Sequence, residues 1–261
     1  MTRLIIPLLL VMAAGGGVSA GEGCPPADVM LERLESVEVG RGARTARFGA
    51  EPPRDLYSEA IHDVGVPVVG RQGKQGHGVL VAELPVGDFW KAINDEDHQA
   101  LDGGYVPVGH SEVIEGTPRG ASRTVFQYYQ QWGIGRWWVS RVRINTELYA
   151  DSDGSMWELT WEDENDGVDP SVPPISLVSS KIDRLDASRG AWLLVPLAGS
   201  CTLVEHFSWT EPGGVAGALA PMRIKSALKQ TLVGLERMAR EHIPISDPDH
   251  QFVGPDGKAL P

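Results

Sequence analysis

Residues 221–242 read PMRIKSALKQTLVGLERMAREH, and this stretch decides the fold class of the chain. Apolar side chains recur along it every three or four positions, at Ile224, Leu228, Leu232, Leu235 and Met238. Charged side chains lie mostly on the opposite side, at Lys225, Lys229, Glu236 and Arg240. This spacing predicts a long amphipathic helix whose apolar stripe must be covered by another part of the chain.

The residues that precede this helix follow a period of two instead. Trp157, Leu159 and Trp161 alternate with polar residues, which indicates a half-buried strand. The same alternation occurs in three further runs, which carry Phe126 and Tyr128; Trp138, Val142 and Ile144; and Cys201, Leu203, Phe207 and Trp209. Short turn-forming segments such as DSDG at 151–154 separate the runs. Connections this short join antiparallel strands, because a parallel crossover needs about a dozen residues or more.

A second helix is predicted over 88–99, where Phe89 and Ile93 lie four positions apart. The chain order is therefore strand, helix, antiparallel meander and long final helix, which is an α+β design. The final helix and the sheet each have an apolar side, so they are expected to pack together and enclose a space. Residues 75–242 are predicted to form one domain, preceded by an extension over 21–74 and followed by a loose tail over 243–261.

The first twenty residues have the pattern of a leader that is removed on export. Arg3 precedes eleven apolar residues, 4–14, and a small-residue end, VSA at 18–20. Eleven residues rise only about 16 Å as a helix, roughly half of a bilayer core, so a stable membrane span is not expected. The pattern predicts a secretory signal peptide cleaved near Ala20, and hence a periplasmic or secreted protein.

The chain contains two cysteines, Cys24 and Cys201. In an oxidising compartment they can form one disulfide that ties the N-terminal extension to the main body of the protein. Two unpaired thiols are the alternative, and the sequence leaves both interpretations open.

The composition and the motifs argue against several classes of function. Lys and Arg number 23 against 35 Asp and Glu, for a net charge of −12. That balance argues against a nucleic-acid partner and against docking on anionic lipid headgroups, since both need a basic surface. The sequence has no metal-ligand spacing, no phosphate-binding loop and no nucleophile elbow. No metal, cofactor or catalytic residue is therefore predicted.

Several segments follow one another in a recognisable order: GVLVAELPVGDFWKAIND (78–95), GAWLLVPL (190–197), TLVEHF (202–207), EPGG (211–214) and the long helix. The first resembles the opening strand and helix of START-like, or SRPBCC, helix-grip proteins, and the others resemble that family's C-terminal half. The resemblance covers about 75–242. It implies a curved antiparallel sheet wrapped around the C-terminal helix, with an apolar cavity between them. It also implies binding of lipids, sterols, quinones or polyketides, and in some relatives cyclisation or hydrolysis.

The candidate ligand contacts are aromatic side chains on the predicted strands, with one carboxylate among them: Phe126, Tyr128, Trp138, Trp157, Trp161, Trp192, Phe207 and Glu205. Rigid apolar rings with few polar groups suit a pocket for an apolar ligand. Glu205 shares its strand face with Leu203 and Phe207, and a carboxylate on such a face needs a partner. In one interpretation that partner is Arg141 or Arg143. In the other, Glu205 anchors a ligand headgroup or acts as a general base.

The predicted function is that of an exported lipid-binding or lipid-carrier protein, which holds a lipid, sterol, quinone or similar molecule between the sheet and the C-terminal helix. We expect this protein to be a monomer whose partner is the hydrophobic ligand, without a cofactor or nucleic acid. A cyclase or hydrolase that uses Glu205 or Tyr128 in the same cavity is the alternative. His206 is not expected to pair with Glu205, because adjacent strand residues point to opposite faces. In a third hypothesis, residues 21–74 bind a protein partner or plug the cavity.

Overall fold

The computed structural model describes residues 23–37, 54–100, 104–131, 134–180, 182–211, 220–241 and 251–260. The strands in these ranges are β1 Val68–Gln72, β2 Gln75–Ala82, β3 His110–Gly116, β4 Ser122–Gln131, β5 Ile134–Ile144, β6 Trp157–Asp163, β7 Asp183–Arg184, β8 Ala187–Pro196 and β9 Thr202–Glu211. They form one open sheet in the order β1-β2-β9-β8-β6-β5-β4-β3, and all neighbours in that order are antiparallel. The short β7 lies outside this order and pairs with β5 in parallel.

The described α-helices are α1 Ala27–Ser36, α2 Arg54–His62, α3 Val86–Ile93, α4 Glu96–Gln99, α5 Thr146–Asp151, α6 Ile175–Ser179 and α7 Ala220–Glu241. The last of them agrees with the helix predicted over 221–242. The helix predicted over 88–99 is instead two, α3 and α4. The chain leaves α3 at Asn94, whose side-chain amide donates a hydrogen bond to the Trp90 carbonyl and so competes with the helical backbone. None of the described helices is both long and apolar enough to cross a membrane.

Each strand turns alternate side chains to the two faces of the sheet, which we call inner and outer. The inner face is the one that α3 and α7 cover, and it carries Leu80, Val204 and Leu194 side by side in register. The outer face carries the neighbouring residues Val81 and Leu203, which α1 and α2 cover. Because both faces are buried here, parts of these strands, such as 79–82 of β2 and 191–195 of β8, are apolar on both faces and do not alternate with polar residues.

Helix α7 packs its apolar stripe on the inner face over β1 and β2 and against α3. Leu232, Leu235 and Met238 are buried there. Gly78 of β2 allows the close approach, because a methyl group at this position would come within 2.7 Å of Leu232. The side chain of Ile224 lies outside the described part of the structure. The predicted α+β fold, a curved antiparallel sheet with a long C-terminal helix, is confirmed.

A close backbone contact holds α7 against the loop that follows α4. Gly234 of α7 lies so near Tyr105 that an added Cβ atom would overlap the Tyr105 carbonyl oxygen. Backbone atoms cannot rotate away from a new methyl group as a flexible side chain can. Gly234→Ala is therefore expected to displace this contact and to destabilise the protein by about 3 kcal/mol. Thermal unfolding followed by circular dichroism measures the change. Gly87→Ala in α3 is the matched control, because a Cβ atom there meets nothing within 4 Å; equal stability of both variants would contradict the close approach.

The described residues of the N-terminal extension share the core of the sheet. Helices α1 and α2 bury Met30, Leu34 and Ile61 against the outer face, and β1 pairs with β2. A disulfide joins Cys24, just before α1, to Cys201, just before β9. These helices lie on the opposite side of the sheet from α7, so they do not plug the space beneath α7, which is one of the two roles in the third hypothesis; the other, binding of a protein partner, stays a prediction. The rest of the extension lies outside the described residues.

Residues 251–260 are packed against the domain, contrary to the loose tail predicted for 243–261. They fold back on themselves, and Phe252 and Val253 contact the body of the protein. The indole N–H of Trp90 in α3 donates a hydrogen bond to the Val253 carbonyl oxygen at 2.8 Å. This C-terminal hairpin therefore covers the end of the inner face next to α3. The residues between α7 and the hairpin lie outside the described ranges.

Candidate ligand-binding site

Helix α7 covers only part of the inner face. Its main contacts are with β1, β2 and α3, whereas β4, β5 and β6 lie farther along the sheet. Inner-face side chains on these three strands stay partly exposed, among them Gln127, Trp138 and Trp161. Partly exposed indole rings beside a covering helix form an apolar area that a small molecule can occupy. We define the inner surface by its residues Trp138, Ser140, Trp161, Trp192 and His206.

His206 of β9 lies between two indole rings of the inner surface. Its imidazole stacks on Trp192, with ring centroids 4.0 Å apart and planes 9° from parallel, and the Trp161 ring centroid is 5.4 Å away. Gly190 makes the contact between Trp161 and His206 possible, because a Cβ atom on this residue of β8 would overlap the Trp161 ring. The Trp161 indole N–H donates to the Ser188 hydroxyl at 3.3 Å. These contacts hold the rings in place before any ligand binds.

A buried ion pair connects α4 to the inner face of β4. Arg123 donates to both carboxylate oxygens of Glu96, to the Asn94 side-chain oxygen at 3.1 Å and to the Gly120 carbonyl at 2.7 Å. Burial raises the pKa of Glu96, and the Arg123 guanidinium opposes that shift. Because all three guanidinium nitrogens already have partners, this pair is a structural link between α4 and β4.

The structure divides the eight predicted ligand contacts between the two faces. Four lie on the inner face: Trp138, Trp157, Trp161 and Trp192. The other four lie on the outer face: Phe126, Tyr128, Glu205 and Phe207. Alternation shows which residues of a strand share a face, but not which face turns toward the helix. Both faces of this sheet are buried, so the apolar pattern does not separate them.

The outer-face aromatic residues belong to a different cluster. Phe126 is fully buried beside Trp137 and Ile175, where α6 and its flanking loop cover the sheet. Trp157 is on the inner face but at its α3 end, where its ring meets Trp90 edge-on at 5.7 Å. Of the predicted contacts, the inner surface therefore contains three: Trp138, Trp161 and Trp192.

Glu205 is buried on the outer face beneath α2. The Tyr57 hydroxyl donates a hydrogen bond to its carboxylate, and Nδ1 of His77 lies 3.9 Å from its Oε1 atom. Arg141, one of the two predicted partners, instead forms ion pairs with Glu164 and Glu115. Glu205 thus links α2 to the sheet, and it lies on the wrong face to contact a ligand beneath α7.

Two polar residues of the inner surface, His206 and Ser140, are absent from the predicted set. The alternation of side chains along each strand could have identified both residues. His206 has the opposite parity to Glu205, and Ser140 has the parity of Trp138, so a correct choice of inner face selects both. Across the described ranges, no three His, Cys, Asp or Glu side chains come together in a way that could hold a metal ion.

The fold of this chain recurs in solved structures. No protein-family model matches the sequence, and neither does any curated protein. A STAR-related lipid transfer protein from Xanthomonas axonopodis is similar with a TM-score of 0.52 and 17% identity, over 67% of this chain and 98% of that one. Human StAR-related lipid transfer protein 5 is similar with a TM-score of 0.51 and 11% identity, over 81% of this chain and 98% of that one.

A more distant likeness is to an aromatase/cyclase from a Streptomyces species, with a TM-score of 0.42 and 16% identity over 64% of this chain and 92% of that one. At such low identities, structural similarity establishes the fold and not the ligand or the reaction. The order of the strands, the long C-terminal helix packed on the inner face and the similarity to these two lipid transfer proteins, each with a TM-score above 0.5, agree with one another. The chain therefore has the START-like helix-grip fold of the SRPBCC proteins.

Proposed function

We propose that the protein binds a hydrophobic small molecule of the lipid class between the inner face of the sheet and α7, and acts as its carrier. The observation that carries the proposal is the inner surface. Trp138 and Trp161 stay partly exposed on the face that α7 covers only in part, and stacking between Trp192 and His206 keeps neighbouring rings in place. Water covers such apolar rings at a free-energy cost, which a bound apolar molecule removes.

Burial of apolar area supplies the driving force for binding. At about 25 cal/mol per Å², a ligand that removes roughly 400 Å² of apolar area from water gains about 10 kcal/mol before ordering costs. Ordering costs of a few kcal/mol leave an affinity on the order of micromolar. The fixed orientation of Trp161 and Trp192 lowers that cost, because these side chains are already ordered in the free protein.

Two further observations support the proposal, one for the role of a carrier and one for a location outside the cytoplasm. Two neighbours with TM-scores above 0.5 are named lipid transfer proteins, which supports the role of a carrier. The disulfide between Cys24 and Cys201 is of the kind found in oxidising compartments. Export is part of the proposal, with cleavage near Ala20; the predicted leader itself lies outside the described residues.

The enzyme hypothesis depends on Glu205 or Tyr128 as the acid or base. Glu205 and Tyr128 both lie on the outer face, which α2 and α6 cover, and the sheet itself separates them from the inner surface. A proton-transfer group must be within hydrogen-bond reach of the ligand. A cyclase or hydrolase that uses either residue on a molecule beneath α7 is therefore not supported by this geometry.

Mass spectrometry of organic extracts from the purified protein tests the proposed function directly. We expect an apolar, lipid-class molecule in an amount close to that of the protein. The same preparation, after extraction, should bind N-phenylnaphthylamine, a neutral apolar fluorophore. An empty extract from protein that also fails to bind this fluorophore would contradict the proposal.

Trp161→Ala is expected to weaken binding of N-phenylnaphthylamine by about tenfold to a hundredfold, because it removes the ring that spans β8. Fluorescence titration measures the dissociation constant. Trp209→Ala is the matched control: Trp209 is also partly exposed but lies on the outer face, with the Arg189 guanidinium 4.6 Å above its ring. The control should bind as the wild type does. Equal affinity of all three proteins would show that the fluorophore does not use the inner surface.

A further inference from the structure

Ser140 of β5 has a buried hydroxyl group with no hydrogen-bond partner among the described residues. Its side chain is 3% exposed and lies on the inner face between Trp138 and Val142. Such a hydroxyl costs the folded protein free energy, because it has given up hydrogen bonds to water and gained none. Buried polar groups in proteins are nearly always paired, so this hydroxyl points to a partner from outside the chain.

The groups around Ser140 restrict the charge of that partner. Val125 lies opposite Ser140 on β4, and Asp163 lies opposite it on β6, on the same face by alternation. The guanidinium on this face of β4, that of Arg123, is already neutralised by Glu96. An anionic oxygen placed beside Ser140 would meet the Asp163 carboxylate and would lose its hydration. An uncharged hydroxyl or carbonyl oxygen avoids both costs.

We propose that Ser140 selects the polar end of the ligand by forming a hydrogen bond to an uncharged oxygen. The ligand class is then that of apolar molecules with a hydroxyl or carbonyl group, and fatty-acid anions are disfavoured. The rings of Trp138 and Trp161 cover the apolar body of the same molecule. This inference rests on the proposed function, since it concerns the same surface.

Three probes that differ only at one end test the inference: decane, decanol and decanoate. Each is measured by its displacement of N-phenylnaphthylamine from the full chain and from Ser140→Ala. We expect Ser140→Ala to weaken decanol binding about tenfold, the ratio that one hydrogen bond of about 1.4 kcal/mol produces, and to leave decane binding unchanged. Decanoate is expected to bind the wild type more weakly than decanol. Ser176→Ala, which removes a hydroxyl in α6, is the matched control and should bind all three probes as the wild type does.

The outcomes separate this inference from the proposed function. If Ser140→Ala leaves decanol binding unchanged, or weakens decanol and decane equally, the role of Ser140 is overturned while the binding of apolar molecules stands. Tighter binding of decanoate than of decanol by the wild type overturns the preference for an uncharged oxygen. If the fluorophore itself does not bind the wild type, the proposed function fails. Thermal unfolding should find Ser140→Ala at least as stable as the wild type, because the variant loses an unpaired buried group.

Discussion

Replacing Arg123 by methionine is expected to lower the free energy of unfolding by about 3–5 kcal/mol. Arg123 is completely buried, and its guanidinium binds the Glu96 carboxylate, the Asn94 side chain and the Gly120 carbonyl. Without it, Glu96 is buried with no counter-charge, and α4 loses its link to β4. Urea unfolding followed by tryptophan fluorescence measures the loss.

The double variant Arg123→Met with Glu96→Leu separates the cost of an unpaired charge from the loss of packing. It leaves no uncompensated group, so it should regain most of the stability that Arg123→Met loses. Arg141→Met is the matched control on the neighbouring strand. Arg141 is partly exposed, and its ion pairs with Glu164 and Glu115 are expected to contribute less than about 1 kcal/mol. A double variant as unstable as the two single changes added together would show that the pair is not coupled.

Glu96 gives the same pair a pH dependence of definite sign. Burial raises its pKa above the ordinary value of 4.5, although Arg123 opposes the shift. A carboxyl group with a raised pKa in the folded state stabilises the protein below the unfolded-state pKa, and this contribution is lost as the pH rises through the folded-state pKa. Arg123→Met removes the opposing attraction, so the stability of that variant should fall more steeply with rising pH than that of the wild type. Unfolding at a series of pH values from about 4 to 8 compares the two slopes, and a steeper fall in the wild type would contradict the sign.

Replacing Cys24 and Cys201 together by serine is expected to cost about 2–5 kcal/mol. The disulfide joins positions 177 residues apart, so it removes much of the conformational freedom of the unfolded chain. In the folded protein it fastens the start of α1 to the outer face, where Leu34 is buried. Thermal unfolding measures the loss, and the wild type in a reducing agent should unfold at the same temperature as the variant. A variant as stable as the oxidised wild type would show that the outer-face packing alone holds α1.

The strands and the final helix can be predicted from the sequence because their signals are local. The alternation of Trp157, Leu159 and Trp161 lies within β6, and the stripe that contains Leu232 and Leu235 lies within α7. Each pattern depends only on which residues of one element share a side. The arrangement of these elements as a helix-grip fold then follows from their order along the chain and from the family resemblance.

The choice of binding face depends on contacts between distant parts of the chain. Glu205 and His206 are neighbours on β9, yet one lies beneath α2 and the other beside Trp192. Glu205 lies on the outer face because α1 and α2 pack on that side of the sheet. The sequence patterns of these two helices are weak. No local property of β9 contains that information.

The C-terminal hairpin could not be predicted from the sequence, for a related reason. It contains few apolar residues and no regular period, so its sequence resembles a solvated tail. Phe252 becomes buried because the Arg119 guanidinium lies over its ring, with 5.0 Å between the guanidinium carbon and the ring centroid. Val253 is fixed by the Trp90 indole N–H. Both partners are far away in sequence, so no local pattern in the hairpin reveals them.

The pairing of β2 with β9 has a consequence for how this protein is made. Gln75 of β2 pairs with Trp209 of β9, so during synthesis β2 has no neighbour on that side until β9 has been made. Until then, the backbone donors and acceptors along one edge of β2 are unpaired, and a strand other than β9 can form hydrogen bonds with them. Contacts this remote in sequence also slow folding. The nascent chain therefore keeps this edge unpaired, and accessible to chaperones, until β9 has been synthesised.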